Sequence, residues 1–384
     1  MTTQDLYHAN LRPLIITSKI VGAEIWTSTK RYTPASFSIM IQIVIYFGCN
    51  IWTAVRFRQD IIQMMKIINC AGIALQLTIK FFIALSLKER LKKLSDHTET
   101  HLYVRYGSEK EPENQLVRTC AERLSIIWKV MAFLYCSTLF VFALYPLFIY
   151  ITESKLIPLF MFEVPGIDWH TTQGYIITVA VQVCTYVMGL CGMILADYLF
   201  VYLVFHGMTM IDIFELHMEQ LTAKLKSKSN EDEPEIEKSW KNCLKDHISF
   251  TKFFKDIEDM LALICLIQIF TGVFAICDNM VLMLLTDWYA AYLFLLVCFV
   301  QLTIYFLLGN ALELKVDSLH ACLTHFPWDL LTVTQQKEYC FVMCRMRKSF
   351  MITMYGFSPL NFESYMSILR LLYQFFMMIF NFVQ

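Results

Sequence analysis

Five stretches of the chain carry no Asp, Glu, Lys or Arg for long enough to cross a bilayer: Tyr32–Val55, Val130–Thr152, Trp169–Ala196, Met260–Cys277 and Trp288–Leu312. A spanning helix needs about 20 predominantly apolar residues, so each stretch predicts one transmembrane helix. Two further stretches are apolar but interrupted. Ile61–Leu87 holds Lys66 and Lys80, each within about seven residues of an end, where a flexible stem carries the ammonium to the interface. Leu360–Phe382 holds Glu363 and Arg370. The pattern predicts an all-α integral membrane protein with seven transmembrane helices, forming a single domain over residues 1–384.

The polar positions between the spans set the orientation. Of the 32 Lys and Arg residues, twenty-five fall in the N-terminal segment and in connections 88–124, 206–258 and 313–350. Only Arg56, Arg58 and Lys155 lie in the opposite connections. Basic residues stay on the cytosolic side, which places the N-terminus and segment 1–35 in the cytosol and the C-terminus outside. A seven-helix G-protein-coupled receptor has the reverse arrangement and is excluded. Connection 206–258 reads as helix, break, helix, with the break at Ser227–Pro234. Its first half carries an apolar stripe of Ile213, Leu216, Leu221 and Leu225 that continues the fourth span. A helix from about Tyr175 to Leu225 would be roughly 75 Å long, well beyond a hydrocarbon core of about 30 Å. Segments 206–258 and 313–350 are therefore expected to form a helical anchor in the cytosol.

Composition agrees. Hydrophobic residues make up 57% and charged residues 17% of the chain, against about 45–50% and about 25% in soluble domains. A net charge of −1 gives no reason to expect a nucleic-acid partner. The thirteen cysteines lie in apolar runs or in the basic connections, so reduced thiols are expected. No Cys/His set has metal-ligand spacing, and no G-x-S-x-G, P-loop or H-E-x-x-H motif occurs. Neither an enzyme nor a cofactor is expected. The first apolar run begins near Ser36, so no secretory signal peptide is visible.

Three segments carry a family resemblance: Asp197–His206 (DYLFVYLVFH), Leu244–Met260 (LKDHISFTKFFKDIEDM) and Phe350–Met378 (FMITMYGFSPLNFESYMSILRLLYQFFMM). With its length and seven spans, the chain resembles the insect odorant receptor family over essentially its whole length. The resemblance implies an odorant-binding subunit of a ligand-gated, non-selective cation channel in the plasma membrane of a sensory neuron dendrite. It implies a heteromeric tetramer with the shared odorant co-receptor subunit, and a small volatile organic ligand. The co-receptor has a long insertion before the fifth helix that this chain lacks, so the chain resembles a ligand-tuning subunit. Subunit contacts are implied in the anchor, with His247, Phe250, Phe254 and Trp328 as candidates. Trp328 matches the tryptophan of a family Tyr–x3–Trp element, but Cys322 stands near where the tyrosine would be. The last helix, 360–382, is implied to line the pore. A gustatory-receptor-like channel is the alternative. A small-molecule transporter is a further one, although inverted repeats are not apparent.

Along that last helix Gln374, Met378 and Asn381 follow at spacings of four and three, with Phe382 four after Met378, so they share a face. They read either as polar residues tolerated near a helix end or as a pore face, since polar groups within a membrane point at water or a partner. Met378 and Phe382 would then form a hydrophobic constriction, with Leu372 and Ile379 facing lipid. For the ligand, the resemblance implies a mostly apolar pocket in the outer halves of the second to sixth spans. Phe142, Tyr145, Val179, Val183, Tyr289 and Tyr292 are its candidates. The competing reading is an interfacial aromatic belt. Asp197 and His206, about 180° apart on one helix, are expected to pack separately at the inner end of the fourth span. Asp278 and Asp287 are expected to bracket an outer turn and face solvent.

Overall fold

The computed structural model describes residues 2–107, 112–154, 156–227, 233–347 and 350–383. Among these residues nine α-helices follow one another: α1 (Thr3–Ile20), α2 (Pro34–Arg56), α3 (Ile61–Thr98), α4 (Pro112–Glu153), α5 (Thr172–Lys226), α6 (Glu233–Leu285), α7 (Ala290–Thr324), α8 (Val333–Met346) and α9 (Phe362–Val383). Seven of them, α2 to α7 and α9, are long and apolar enough to cross a membrane. The 55 residues of α5 reach about 80 Å at 1.5 Å per residue. Its far half is no solvated tail, because Ile213, Leu221 and Leu225 are buried there. The expected break falls largely on residues 228–232, outside the described residues; α6 begins at Glu233.

Segment 1–35 is more ordered than its polar composition suggests. The Thr2 hydroxyl accepts from the Asp5 amide at 3.2 Å and the Asp5 carboxylate accepts from the Thr2 amide at 2.8 Å, a reciprocal cap that starts α1. Tyr7, Leu11 and Leu14 then recur on one face and are buried, and α1 packs against α4 and α5. At this polar end of the bundle Arg105 and His217 converge on Asp246 at 3.0 and 2.7 Å.

Two charged side chains sit where the sequence did not place them. Lys80 does not snorkel: it is 4% exposed and pairs with Asp197 at 3.1 Å. An ammonium is tolerated inside a bundle when it is paired and hydrogen-bonded, and here the partner on α5 is reached without leaving the apolar layer. Asp278 does not border a turn. The apolar run ends at Cys277, but α6 continues to Leu285, leaving Asp278 buried one turn above Ala275.

The 350–361 segment is a clasp between α8 and α9. The Met354 amide donates to the Ser358 carbonyl at 2.8 Å and the Leu360 amide to the Ile352 carbonyl at 2.9 Å. Tyr355 and Gly356 turn the chain at φ 52° and 80°. The Thr353 amide donates to Glu258 of α6 at 3.1 Å, and its hydroxyl bonds the same carboxylate. Leu360 rests on Gly309 of α7, where a Cβ would come within 1.9 Å of the Leu360 carbonyl oxygen. The obstacle is backbone and cannot rotate away. Gly309→Ala is expected to cost at least the ~1–3 kcal/mol of ordinary overpacking, read as a melting temperature in detergent lowered by several degrees. An unchanged melting temperature would remove the clasp from α7.

Candidate functional site

A cavity of about 160 Å³ lies between α2, α3 and α5. Its position follows from small side chains: Gly189 and Gly192 on α5 face Leu77 of α3, so the two helices leave room beside α2. Gln42 and Tyr46 of α2, Thr78 of α3 and Thr185 and Tyr186 of α5 carry polar side-chain atoms into its lining. No charged side chain lines it. Phe160, Tyr186 and Phe294 are among the aromatic residues of a wall that is otherwise apolar.

That wall is shared with an aromatic cluster at the other end of the bundle from α1. Phe142 of α4 packs edge-on to Phe294 at 4.6 Å and against Tyr186 at 5.7 Å. Phe160 meets Tyr186 at 5.5 Å, and Trp288 meets Phe294 at 5.8 Å. The α4–α5 connection folds inward to deliver Phe160 and Phe162. The buried Gln182 side chain holds it there: its amide donates to the Phe160 and Phe162 carbonyls at 2.9 and 3.0 Å, and its oxygen accepts from the Phe160 amide at 3.1 Å. The connection is tied to α2 as well, through the Glu163 amide donating to Thr53 at 2.9 Å and the Arg56–Glu163 ion pair.

Of the six ligand candidates, Phe142 is buried in this cluster and Tyr145 packs against it. The other four stand off it. On α5 the inward stripe is Thr178, Gln182, Tyr186 and Leu190, each four residues on; Val183 is one residue out of phase and exposed, and Val179 is half-buried. On α7 the inward residues are Ala290, Ala291, Phe294 and Cys298, which turns Tyr289 and Tyr292 outward at 56% and 51% exposure. Phe160 and Phe294 were not singled out from sequence. The four-residue recurrence through Gln182 was the legible signal.

Beneath the cluster, Asp197 of α5 ties four helices together. Its Oδ1 accepts from Lys80 at 3.1 Å and from the Tyr305 hydroxyl at 2.9 Å. Its Oδ2 accepts from the Tyr135 hydroxyl at 2.5 Å and the Gln301 amide at 3.0 Å. Lys80 also bonds the Gln268 oxygen on α6. His206 lies apart, its Nε2 2.9 Å from the Tyr103 hydroxyl, so the two residues take separate partners.

The anchor candidates divide. Phe250 and Phe254 are buried in their own chain, against Phe350 at 5.8 and 5.9 Å. Phe254 also lies over Gly207, where a Cβ would approach its ring to 2.7 Å. Both side chains are thus covered by their own chain rather than presented on its surface. His247 is buried beside Phe250 and Phe214; burial and the nearby Arg345 push its pKa down to about 4. Trp328 is exposed. An open groove of about 590 Å³ separates α6 from α8, edged by the exposed Ile248 and Phe341 and by Lys252, Lys255 and Arg345.

On α9 all four pore candidates, Gln374, Met378, Asn381 and Phe382, are exposed. Leu372 is not lipid-facing but buried, at 2% exposure, and Ile379 is half-buried. With Tyr365 and Ile368 they form the side that meets α6 and α7. At 100° per residue the exposed Glu363, Ser367, Arg370, Gln374 and Asn381 fall within an arc of about 60° on the opposite side.

The fold and these surfaces define a seven-helix, multi-pass membrane protein with a small apolar cavity and a last helix whose polar side is left uncovered. The chain belongs to the 7tm odorant receptor family, whose profile matches residues 60–373. It is 19% identical to the putative odorant receptor 83c of Drosophila melanogaster, over 95% of this chain and 94% of that one. It is 22% identical to odorant receptor 10 of Aedes albopictus, over 61% and 62%. The fold is similar to that of the olfactory receptor OR5 of Machilis hrabei solved with eugenol, at a TM-score of 0.78 and 13% identity over 99% of both chains. A second structure of the same receptor gives a TM-score of 0.74 at 14% identity, over 98% of this chain and 99% of that one.

Proposed function

We propose that this chain is the odorant-binding subunit of a ligand-gated, non-selective cation channel, assembled with a shared co-receptor as a heteromeric tetramer. Its N-terminus lies in the cytosol, and it sits in the plasma membrane of a sensory neuron dendrite. The observation that carries the reading is the polar side of α9. Hydrocarbon offers no partner to Glu363, Arg370, Gln374 or Asn381, so a polar stripe turned away from its own bundle faces water or another subunit. A water-filled path on the axis of an assembly supplies both. The cavity and its aromatic wall hold the odorant. Phe294 links that wall to α7, and α7 packs on α9. The test is current recorded from cells expressing the chain with and without the co-receptor under a panel of volatiles. Odorant-evoked cation current only in the co-expressing cells supports the reading; its absence for every volatile overturns it.

The groove between α6 and α8 is the assembly surface in this reading. Its edge pairs exposed Ile248 and Phe341 with buried His247 Nε2 and Thr251 Oγ1 atoms that have no hydrogen-bond partner among the described residues. Ile248→Asp with Phe341→Asp is expected to abolish co-purification with the co-receptor while leaving the single chain monodisperse. Normal co-purification would move the interface elsewhere.

A further inference from the structure

We infer that the α2/α3/α5 cavity takes a small neutral alcohol or phenol, about the size of one substituted benzene ring, and that this ligand arrives from the bilayer rather than from water. The inference rests on the odorant-binding reading and names the ligand chemistry of that site.

Size comes from the volume. About 160 Å³ is close to the roughly 150 Å³ apolar cavity that accommodates benzene in a protein interior. Chemistry comes from the hydrogen-bond accounts of the wall. The Tyr46 hydroxyl donates to the Cys70 carbonyl at 3.1 Å, Thr78 to the Ala74 carbonyl at 2.7 Å and Thr185 to the Val181 carbonyl at 2.9 Å. Each hydroxyl has one proton to give, and each has given it to a helix backbone. What remains for a ligand is lone pairs. A ligand that donates gains a bond from any of these three; an ether, ester or ketone finds no uncommitted proton on them. Gln42 holds the amide donor of the set, and it is turned toward Cys184 Sγ at 3.9 Å at the cavity's edge. With no carboxylate in the wall, a cationic amine would be buried unpaired. A neutral hydroxyl is the donor that fits.

Access comes from the surroundings of the edge. Gln42 and Cys184 reach across from α2 to α5, and the side chains about them, Ile41, Val44, Ile45 and Val187, are exposed and apolar. All lie inside the apolar runs of helices that cross the membrane, so their surface is covered by lipid. The opposite approach is closed by Phe160 and Phe162, clamped by Gln182. A volatile alcohol concentrates in the bilayer and meets the cavity from its side.

The test uses the full chain in phosphatidylcholine nanodiscs, with a benzyl alcohol bearing a trifluoromethyl-diazirine as photolabel and peptide mapping as the readout. Labelling is expected within residues 39–47 of α2 and 185–193 of α5. Benzyl alcohol should compete about fivefold better than benzyl methyl ether, the worth of one ordinary hydrogen bond. Tyr46→Phe with Thr78→Val and Thr185→Val should bring the two competitors level, and Ile43→Trp, across the opening, should remove the labelling. Labelling confined to other helices overturns the site, and equal competition in the unmodified chain overturns the ligand class. Displacement by longer-chain lipid but by neither competitor identifies an acyl chain as the occupant and overturns it too. The readout needs no current. Labelling as described in a chain that no volatile gates defeats the channel reading alone; gating with no labelling of α2 and α5 defeats this inference alone.

Discussion

Lys80→Met is expected to leave little folded protein at the cell surface. The substitution keeps the length and apolar character of the stem and removes the one cation beside Asp197. Asp197 is 1% exposed, so its charge would remain inside the bundle with only neutral donors. Removing one partner of a buried ion pair costs about 3–5 kcal/mol, a large share of the roughly 5–15 kcal/mol that holds an ordinary domain together. Asp197→Asn is expected to do similar damage for a second reason. An amide replaces one acceptor oxygen with a donor, and Tyr305 and Tyr135 bond one carboxylate oxygen each. The double variant Lys80→Met, Asp197→Asn removes both charges together and should recover more than half of the lost protein. Surface biotinylation with size-exclusion profiles in detergent reads all three. Single variants as abundant as the unmodified chain would show that the pair contributes nothing to folding.

The spans were legible because a hydrocarbon layer imposes one rule over about 20 consecutive residues, and local composition reports it. What was not legible depended on phase and on distant partners. Lys80 and Asp197 are 117 positions apart, and nothing local to Lys80 distinguishes a buried, paired lysine from one that snorkels. Tyr292 and Phe294 are both aromatics near the start of α7, yet one is 51% exposed and the other 7%. Their identities cannot say which side meets α4. Phe250 and Phe254 illustrate the same limit at the polar end. Apolar residues among charges signal burial, but burial inside the chain and burial against a second chain leave identical traces in sequence. The α9 stripe was partly readable because its polar residues share a face. The structure extends that face to Glu363, Ser367 and Arg370, which in the sequence read only as interruptions of the apolar run or not at all.

Replacing Phe382 or Met378 with serine is expected to produce current in the absence of odorant. Both are exposed, Phe382 at 82% and Met378 at 48%, and they flank the polar arc near the end of α9. In a tetramer whose last helices surround one axis, large apolar side chains at that level exclude water and hold the path closed by dewetting. A serine at either position lowers that barrier without disturbing the α6 and α7 contacts, which belong to the other side of the helix. The expected readout is a standing inward current that the wild-type complex lacks, present before any volatile is applied. Asn381→Asp lies on the same arc and should change the preference among cations, since it adds a fixed charge beside the path. Leu372→Ala works on the buried side; it should reduce the amount of folded protein and leave the gate of the surviving channels closed. A cysteine scan of 373–383 with a water-soluble thiol reagent separates the sides. Block confined to 374, 378, 381 and 382 supports the pore face. Block at every position, or at none, would make α9 a packing helix and transfer the pore to another span.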